Sequence, residues 1–124
     1  MELKVKIYLT DDEGVKFMGI GVIWLLEEIE RAGSLRKAAM NLGISYTKSY
    51  AMLSRAEENL SFPLVERRRG GSSHEGAVLT EQAKEFIKLY RAFQSKAKER
   101  VAKEYEDFAV SLSCLHKEND DGQI

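Results

Sequence analysis

The chain has 124 residues and is poor in the residues that staple a fold together or anchor it. It holds one cysteine, Cys114, so an intramolecular disulfide is excluded. No apolar run reaches the roughly 18 residues that a membrane span requires. The opening, Met1-Glu2-Leu3-Lys4-Val5-Lys6, alternates instead of leading into the apolar stretch of a signal peptide. Together these features give a cytoplasmic expectation, with no membrane partner. The two histidines, His74 and His116, are far apart, and neither stands four residues from another metal ligand. Cys114 has no Cys-x-x-Cys partner either, so no metal site is expected. No Ser/His/Asp or Cys/His order stands out and the carboxylates are scattered, which argues against an enzyme. A Gly-rich stretch occurs at 70–76, but no Gly-Lys-Ser/Thr follows and there is no dinucleotide fingerprint, so no cofactor is expected.

Net charge is also nearly absent, at −1, but it is unevenly placed. Residues 1–30 carry three lysines against seven acidic residues, a balance of −4. Residues 31–74 carry eight basic residues (Arg31, Arg36, Lys37, Lys48, Arg55, Arg67, Arg68 and Arg69) against three glutamates, which is +5. Residues 75–124 return to −2, with eight basic against ten acidic. A basic middle third is how an electrostatic footprint for phosphate appears in a chain that is neutral overall. The plainer reading of the same charge is a solvated face.

What is present is enough apolar residue, 44%, to bury a core, with 31% charged residues to keep the surface wet. Leu3, Val5, Ile7 and Leu9 alternate with Lys4, Lys6 and Tyr8, the period of a strand with one buried face. Asp11-Asp12-Glu13-Gly14 is turn chemistry, and Val15-Lys16-Phe17 can return as a second strand. The period then changes. Val22, Leu25, Leu26 and Ile29 mark a helix ending near Ala32-Gly33. Ser34 is placed to cap a second helix with Leu35, Ala38, Ala39 and Leu42 inward, and Gly43 offers a left-handed stop. Ser45 caps a third helix, 45–60, whose inward side is Ser49, Met52, Leu53, Ala56 and Leu60, and Pro63 forbids its continuation.

Two short helices joined by Gly43-Ile44-Ser45 form a helix-turn-helix pattern. Ala38 and Ala39 leave so little bulk that the third helix can cross the second closely. After Pro63, Leu64-Val65-Glu66-Arg67-Arg68-Arg69 and Ala77-Val78-Leu79 flank Gly70-Gly71-Ser72-Ser73-His74-Glu75-Gly76, a hairpin with three arginines at its mouth. Thr80 caps a final helix on which Ala83, Phe86, Tyr90, Phe93, Ala97, Val101, Tyr105 and Phe108 recur at three- and four-residue steps. Its start can pack on Val22, Leu26 and the N-terminal hairpin. Beyond Phe93 little of the domain remains to cover it, so Phe86, Tyr90, Phe93, Ala97 and Val101 are expected to hold a homodimer together. From about Ser111 the tail is expected to lose periodicity and fray.

The architecture expected is mainly α with small β (α+β). It is a winged helix-turn-helix with an N-terminal β-hairpin, a β-wing and a long C-terminal dimerisation helix. The expected division is 1–79 for DNA binding, 80–108 for dimerisation and 109–124 as tail. The run Gly33-Ser34-Leu35-Arg36-Lys37-Ala38-Ala39, then Leu42-Gly43-Ile44-Ser45, Leu64-Val65-Glu66-Arg67 and Leu79-Thr80 resembles the N-terminal DNA-binding domain of LysR-type regulators. Gly43-Ile44-Ser45-Tyr46, the extended wing from Leu64 to Thr80 and the leading strand look closer to the molybdate-responsive repressors called ModE. The match covers about residues 3–108. Full-length members of that family carry C-terminal molybdate-binding β-domains. The sixteen residues after Phe108 are too few for one, so the resemblance implies the DNA-binding half and no molybdate site within this chain.

With Ser49, Met52, Leu53 and Ala56 inward, about 100° per residue turns Thr47, Ala51 and Ser54 outward. Lys48 and Arg55 then lie along one edge and Tyr50 along the other. Helix-turn-helix proteins put the N-terminal part of this helix into the major groove of double-stranded DNA. Thr47 and Ala51 are placed for bases, and Lys48 for a guanine or a phosphate. Ser45, Tyr46 and Tyr50 are placed for phosphate oxygens, although both tyrosines read equally as half-buried packing residues. Adjacent residues of a strand point to opposite faces, so two of Arg67, Arg68 and Arg69 face DNA together. The tip Gly70, Gly71, Ser72, Ser73 would follow a phosphate strand or the minor groove, with Arg36 and Lys37 touching backbone. The function this implies is a sequence-specific transcription regulator, a repressor by the resemblance, bound to a pseudo-palindromic operator. The alternative is a winged-helix module that binds proteins instead of DNA. Acidic groups on the recognition helix would favour it, but Glu57 and Glu58 occupy only the later turn.

Overall fold

The computed structural model describes residues 1–69 and 75–122, with backbone alone for Arg69, Glu75 and 117–122. The chain falls into two compact units, Ile7–Leu89 and a second made of Met1–Lys6 with the chain from Tyr90 onward.

The first unit begins with a short antiparallel hairpin of β1 (Leu9–Thr10) and β2 (Lys16–Met18), with an irregularity between Leu9 and Thr10. The Asp11 carboxylate accepts from the Glu13 and Val15 N–H groups at 2.9 Å each and closes the turn. The strand expected over 3–9 is therefore confined to its last residue and one beyond. The returning strand is only three residues long, and its register takes in Leu9 and Thr10.

Three helices follow: α1 (Ile20–Ala32), α2 (Leu35–Leu42) and α3 (Tyr46–Leu60). Local chemistry sets their ends. Gly33 (φ 78°) and Gly43 (φ 71°) stop α1 and α2 in the left-handed conformation that a Cβ disfavours. Ser34 Oγ accepts from the Lys37 N–H and Ser45 Oγ from the Lys48 N–H, both at 3.0 Å, so each satisfies a donor that the helix start leaves over. The core is Met18, Ile23, Leu25, Leu26, Ile29, Leu35, Ala38, Ala39, Leu53, Ala56 and Leu64, all buried. Ala38 and Ala39 are closed off on the buried side of α2, where added bulk would cost about 1–3 kcal/mol by overpacking. Buried Ser49 is satisfied by donating to the Tyr46 carbonyl at 2.7 Å. Two expectations shift. Leu42 is exposed, and Met52 and Leu60 are only half-buried.

Glu28 of α1 ties this helix to α2. Its carboxylate accepts from both Arg31 and the Asn41 side chain, the latter at 2.8 Å. The Arg31 hydrogen bond, then that of Asn41, holds the Glu28 carboxyl below its ordinary range. A depressed folded pKa gives stability that is present above the unfolded value and lost as pH falls through the folded one. The melting temperature should therefore fall more steeply on acidification below about pH 4.5 in the wild type than in Glu28→Gln. Identical acid limbs would remove Glu28 from the account.

The wing is β3 (Val65–Arg69) paired antiparallel with β4 (Glu75–Leu79), in the register Val65 to Leu79 and Arg67 to Ala77. It is fastened at three points. Glu57 of α3 accepts the Leu64 N–H at 2.7 Å, Ala77 donates to the Gly33 carbonyl at 2.8 Å, and Thr80 Oγ1 donates to the Pro63 carbonyl at 2.8 Å. Thr80 also caps α4 (Glu81–Gly122), accepting from the Ala83 N–H at 3.0 Å.

The second unit consists mainly of α4. The helix passes the expected end near Phe108 because neither glycine nor proline interrupts it before Gly122. Its apolar series also persists. Tyr90, Phe93, Ala97, Val101, Tyr105, Phe108, Leu112 and Leu115 fall within a stripe about 120° wide and about 38 Å long. Tyr90 is buried, and its neighbour Gln94, also buried, bonds its hydroxyl; burial pushes the Tyr90 phenol up. Further along, Phe93 (49%), Phe108 (57%) and Leu115 (58%) are exposed, so most of the stripe is uncovered within one chain.

Candidate nucleic-acid interface

The site is built on α3. Its buried side, Ser49, Leu53 and Ala56, fixes the rotation of the helix. Thr47, Lys48, Ala51, Ser54 and Arg55 are thereby exposed. Ser45 spends its hydroxyl acceptor on the Lys48 N–H, which leaves the hydroxyl hydrogen free to donate. Arg36 and Lys37 stand exposed on the first turn of α2.

The tyrosine edge of α3 carries an arrangement that neither of the two readings for these residues contains. Tyr46 is half-buried and Tyr50 exposed, with ring centroids 6.4 Å apart. The Arg36 guanidinium lies over Tyr46 at 4.6 Å, and that of Arg67 over Tyr50 at 4.8 Å. Arg36, Tyr46, Tyr50 and Arg67 thus form a row across α2, α3 and the wing. A ring face attracts a guanidinium without neutralising it, so the row fixes two positive charges beside the exposed face of α3. The signal lay in the residue types, but the pairs lie ten and seventeen positions apart in the sequence.

Alternation along β3 puts Arg67 and Arg68 on opposite faces. Arg67 shares a face with Val65 and reaches Tyr50, whereas Arg68 points to the other side, and both are exposed. For Arg69 only the backbone is described, paired with Glu75. Gly70, Gly71, Ser72 and Ser73 lie outside the described residues.

Electrostatics favours this surface. Arg31 is engaged by Glu28. Among the described residues, Arg36, Lys37, Lys48, Arg55, Arg67 and Arg68 have no carboxylate partner. Their charge is uncompensated, as an anion-binding face needs.

The row also makes a prediction. Tyr50→Leu should weaken duplex binding about two- to fivefold, the worth of one exposed cation–π contact, while Tyr50→Phe, which keeps the ring, should bind like wild type. Titration by fluorescence anisotropy checks this. A Phe variant as weak as the Leu variant would transfer the effect to the hydroxyl.

Of the expected dimer residues, Phe86 is half-buried with its ring 6.3 Å from Phe62, and Tyr90 is buried. Phe93 and Val101 are exposed and Ala97 half-buried.

Helix-turn-helix, three-point wing and long following helix define a winged helix of the DNA-binding class. The profile of the bacterial regulatory helix-turn-helix proteins, lysR family, matches residues 23–84. The chain belongs to that family. It is 32% identical over 91 residues to the transcriptional regulator ModE of Haemophilus influenzae, a stretch covering 73% of this chain and 35% of that protein. The DNA-binding transcriptional dual regulator ModE of Escherichia coli is 37% identical over 96 residues, which is 75% of this chain and 36% of that one. The molybdenum-pterin-binding protein MopB of Rhodobacter capsulatus is 33% identical over 96 residues, covering 77% and 34%. The chain thus spans about a third of the length of these relatives. Among solved structures, the DNA-binding domain in the CbnR_DBD–DNA complex superposes with a TM-score of 0.50 at 24% identity, over 68% of this chain and 98% of that domain, and shows the shared fold. Among the described residues no helix is long and apolar enough to cross a membrane.

Proposed function

We propose that this chain is a sequence-specific transcription regulator that binds double-stranded DNA as a homodimer. The observation that carries the reading is the surface around α3: an exposed recognition face flanked by cations without acid partners, two of them fixed over tyrosines. In this reading α3 enters the major groove. Thr47 and Ala51 meet base edges, Lys48 and Arg55 meet a base or a phosphate, and Ser45 and the arginines of α2 and β3 hold the backbone. The wing tip, 70–73, follows the phosphate strand. The DNA-reading part is 1–79, and α4 from Thr80 to at least Phe108 joins two copies. A two-fold dimer presents two recognition helices to half-sites one helical turn or a multiple apart, so the operator is a pseudo-palindrome. A dimer seated on such a site obstructs transcription, and repression is the outcome proposed. The chain works in the cytoplasm, where its DNA lies, and performs no catalysis.

The test is selection of bound fragments from genomic DNA. Enrichment of one pseudo-palindromic motif is the expected result. Recovery without any shared motif, at an affinity equal to that for random duplex, would contradict the reading.

A further inference from the structure

The tyrosine row occupies one edge of α3. The opposite edge carries Lys48 and Arg55, and there the N-terminal hairpin comes alongside. A surface depression of about 420 Å³ opens between them and runs up to Ala51; its lining includes Lys16 and Phe17 of β2, Gly21 of α1, and Lys48, Met52 and Arg55 of α3. Three of its lining residues are cations and none is an acid. Among the described residues, none of the three has a carboxylate partner. The Lys16 ammonium stands 5.3 Å over the Tyr8 ring, which steadies the head group and leaves its charge uncancelled. Three like charges around one depression repel one another until an anion sits among them.

We propose that this depression binds a DNA phosphate, and that the β1–β2 hairpin is a second backbone clamp beside α3. The inference rests on the DNA-binding reading above. A helix in the major groove has a phosphate strand on either side. Arg36 and Arg67 stand at the tyrosine edge of α3 and meet one strand; Lys16, Lys48 and Arg55 stand at the other edge and meet the second. The wing therefore has a counterpart built from a different part of the chain, and Lys16 belongs to the interface although it lies outside the basic middle third.

Lys16 is exposed, and a Cβ added at Gly21 meets nothing within 4 Å, so both positions accept substitution. The salt dependence of duplex binding is measured for wild type, Lys16→Gln, Gly21→Gln and Gly21→Glu, with melting temperatures as the folding control. The dimer loses one contact from each copy, so Lys16→Gln should lower the slope of log K against log salt by about 1.8 and weaken binding about 60-fold at 0.1 M salt. Gly21→Glu, which sends a carboxylate into the depression, should bind more weakly than the isosteric Gly21→Gln. Sequence preference should stay unchanged throughout, because phosphate contacts carry no base information. If wild type binds duplex while Lys16→Gln and Gly21→Glu keep the wild-type slope and affinity, the clamp is overturned and the functional reading stands. If wild type binds no duplex, both fall together.

Discussion

A variant with Arg36→Ala and Arg67→Ala together is expected to bind duplex DNA about 4,000-fold more weakly than wild type at 0.1 M salt, with the deficit closing towards 1 M. Each lost phosphate contact removes about 0.9 from the log–log slope, so the four lost by the dimer, two from each copy, remove about 3.6, which is the 4,000-fold at 0.1 M. The two arginines are suited to such contacts because each is already held over a tyrosine ring. Ordering a long side chain costs entropy on binding, and a guanidinium fixed beforehand has less to lose. Both residues are exposed, so the substitutions should cost little stability beyond their two cation–π contacts, about 0.5–1 kcal/mol each. An unchanged slope in the double variant would remove the tyrosine row and the wing from the DNA surface.

The second large effect is expected in α4. Wild type should sediment as a dimer at tens of micromolar, and Phe93→Asp as a monomer. Phe93 is 49% exposed in the single chain, and the stripe continues through Val101, Phe108 and Leu115. A stripe of that length is more apolar surface than a soluble monomer leaves open. Burying one large apolar side chain contributes about 1.5–3 kcal/mol, and a symmetric interface carries the change twice. The dissociation constant should therefore rise by about two to four decades. Binding to a pseudo-palindromic site should fall with it, because the two half-sites are no longer engaged by one particle. A wild-type monomer, or a Phe93→Asp dimer that binds as tightly, would contradict the dimer.

The parts of the fold that rest on local chemistry are legible in the sequence. Ser34, Ser45 and Thr80 precede helices and each accepts the N–H three residues on. Gly33 and Gly43 end helices in the left-handed region. The buried side of α3 follows from its spacing, and with it the exposure of Thr47, Lys48, Ala51 and Arg55. What is not legible depends on partners distant in the chain. The alternation of residues 3–9 describes a strand only if another strand is long enough to pair with it, and β2 is not. Tyr46 and Tyr50 left packing and phosphate binding open; contact with Arg36 and Arg67 emerges only when α2, α3 and β3 converge. Glu57 read as an acidic residue on a later turn, yet it fastens the wing by accepting the Leu64 N–H. Lys16 sat in the acidic first 30 residues of the chain and lines one depression with Lys48 and Arg55 only because the hairpin comes alongside α3. The tail misled for a different reason. Expected fraying rested on lost periodicity, whereas Leu112 and Leu115 continue the stripe and nothing before Gly122 breaks the helix.

In the proposed complex the exposed face of α3 reads bases while its flanks hold the backbone. The most direct measurement is selection from a randomised duplex pool with wild type, Thr47→Ala and Ser45→Ala in parallel. Thr47→Ala should keep the overall motif but relax the preference at one position of each half-site, by about 1–3 kcal/mol at most. Ser45→Ala should return the wild-type motif at uniformly lower affinity, beyond the cost of losing its cap. Two variants that both weaken every sequence alike, with no change of preference anywhere, would show that α3 does not read DNA in this orientation.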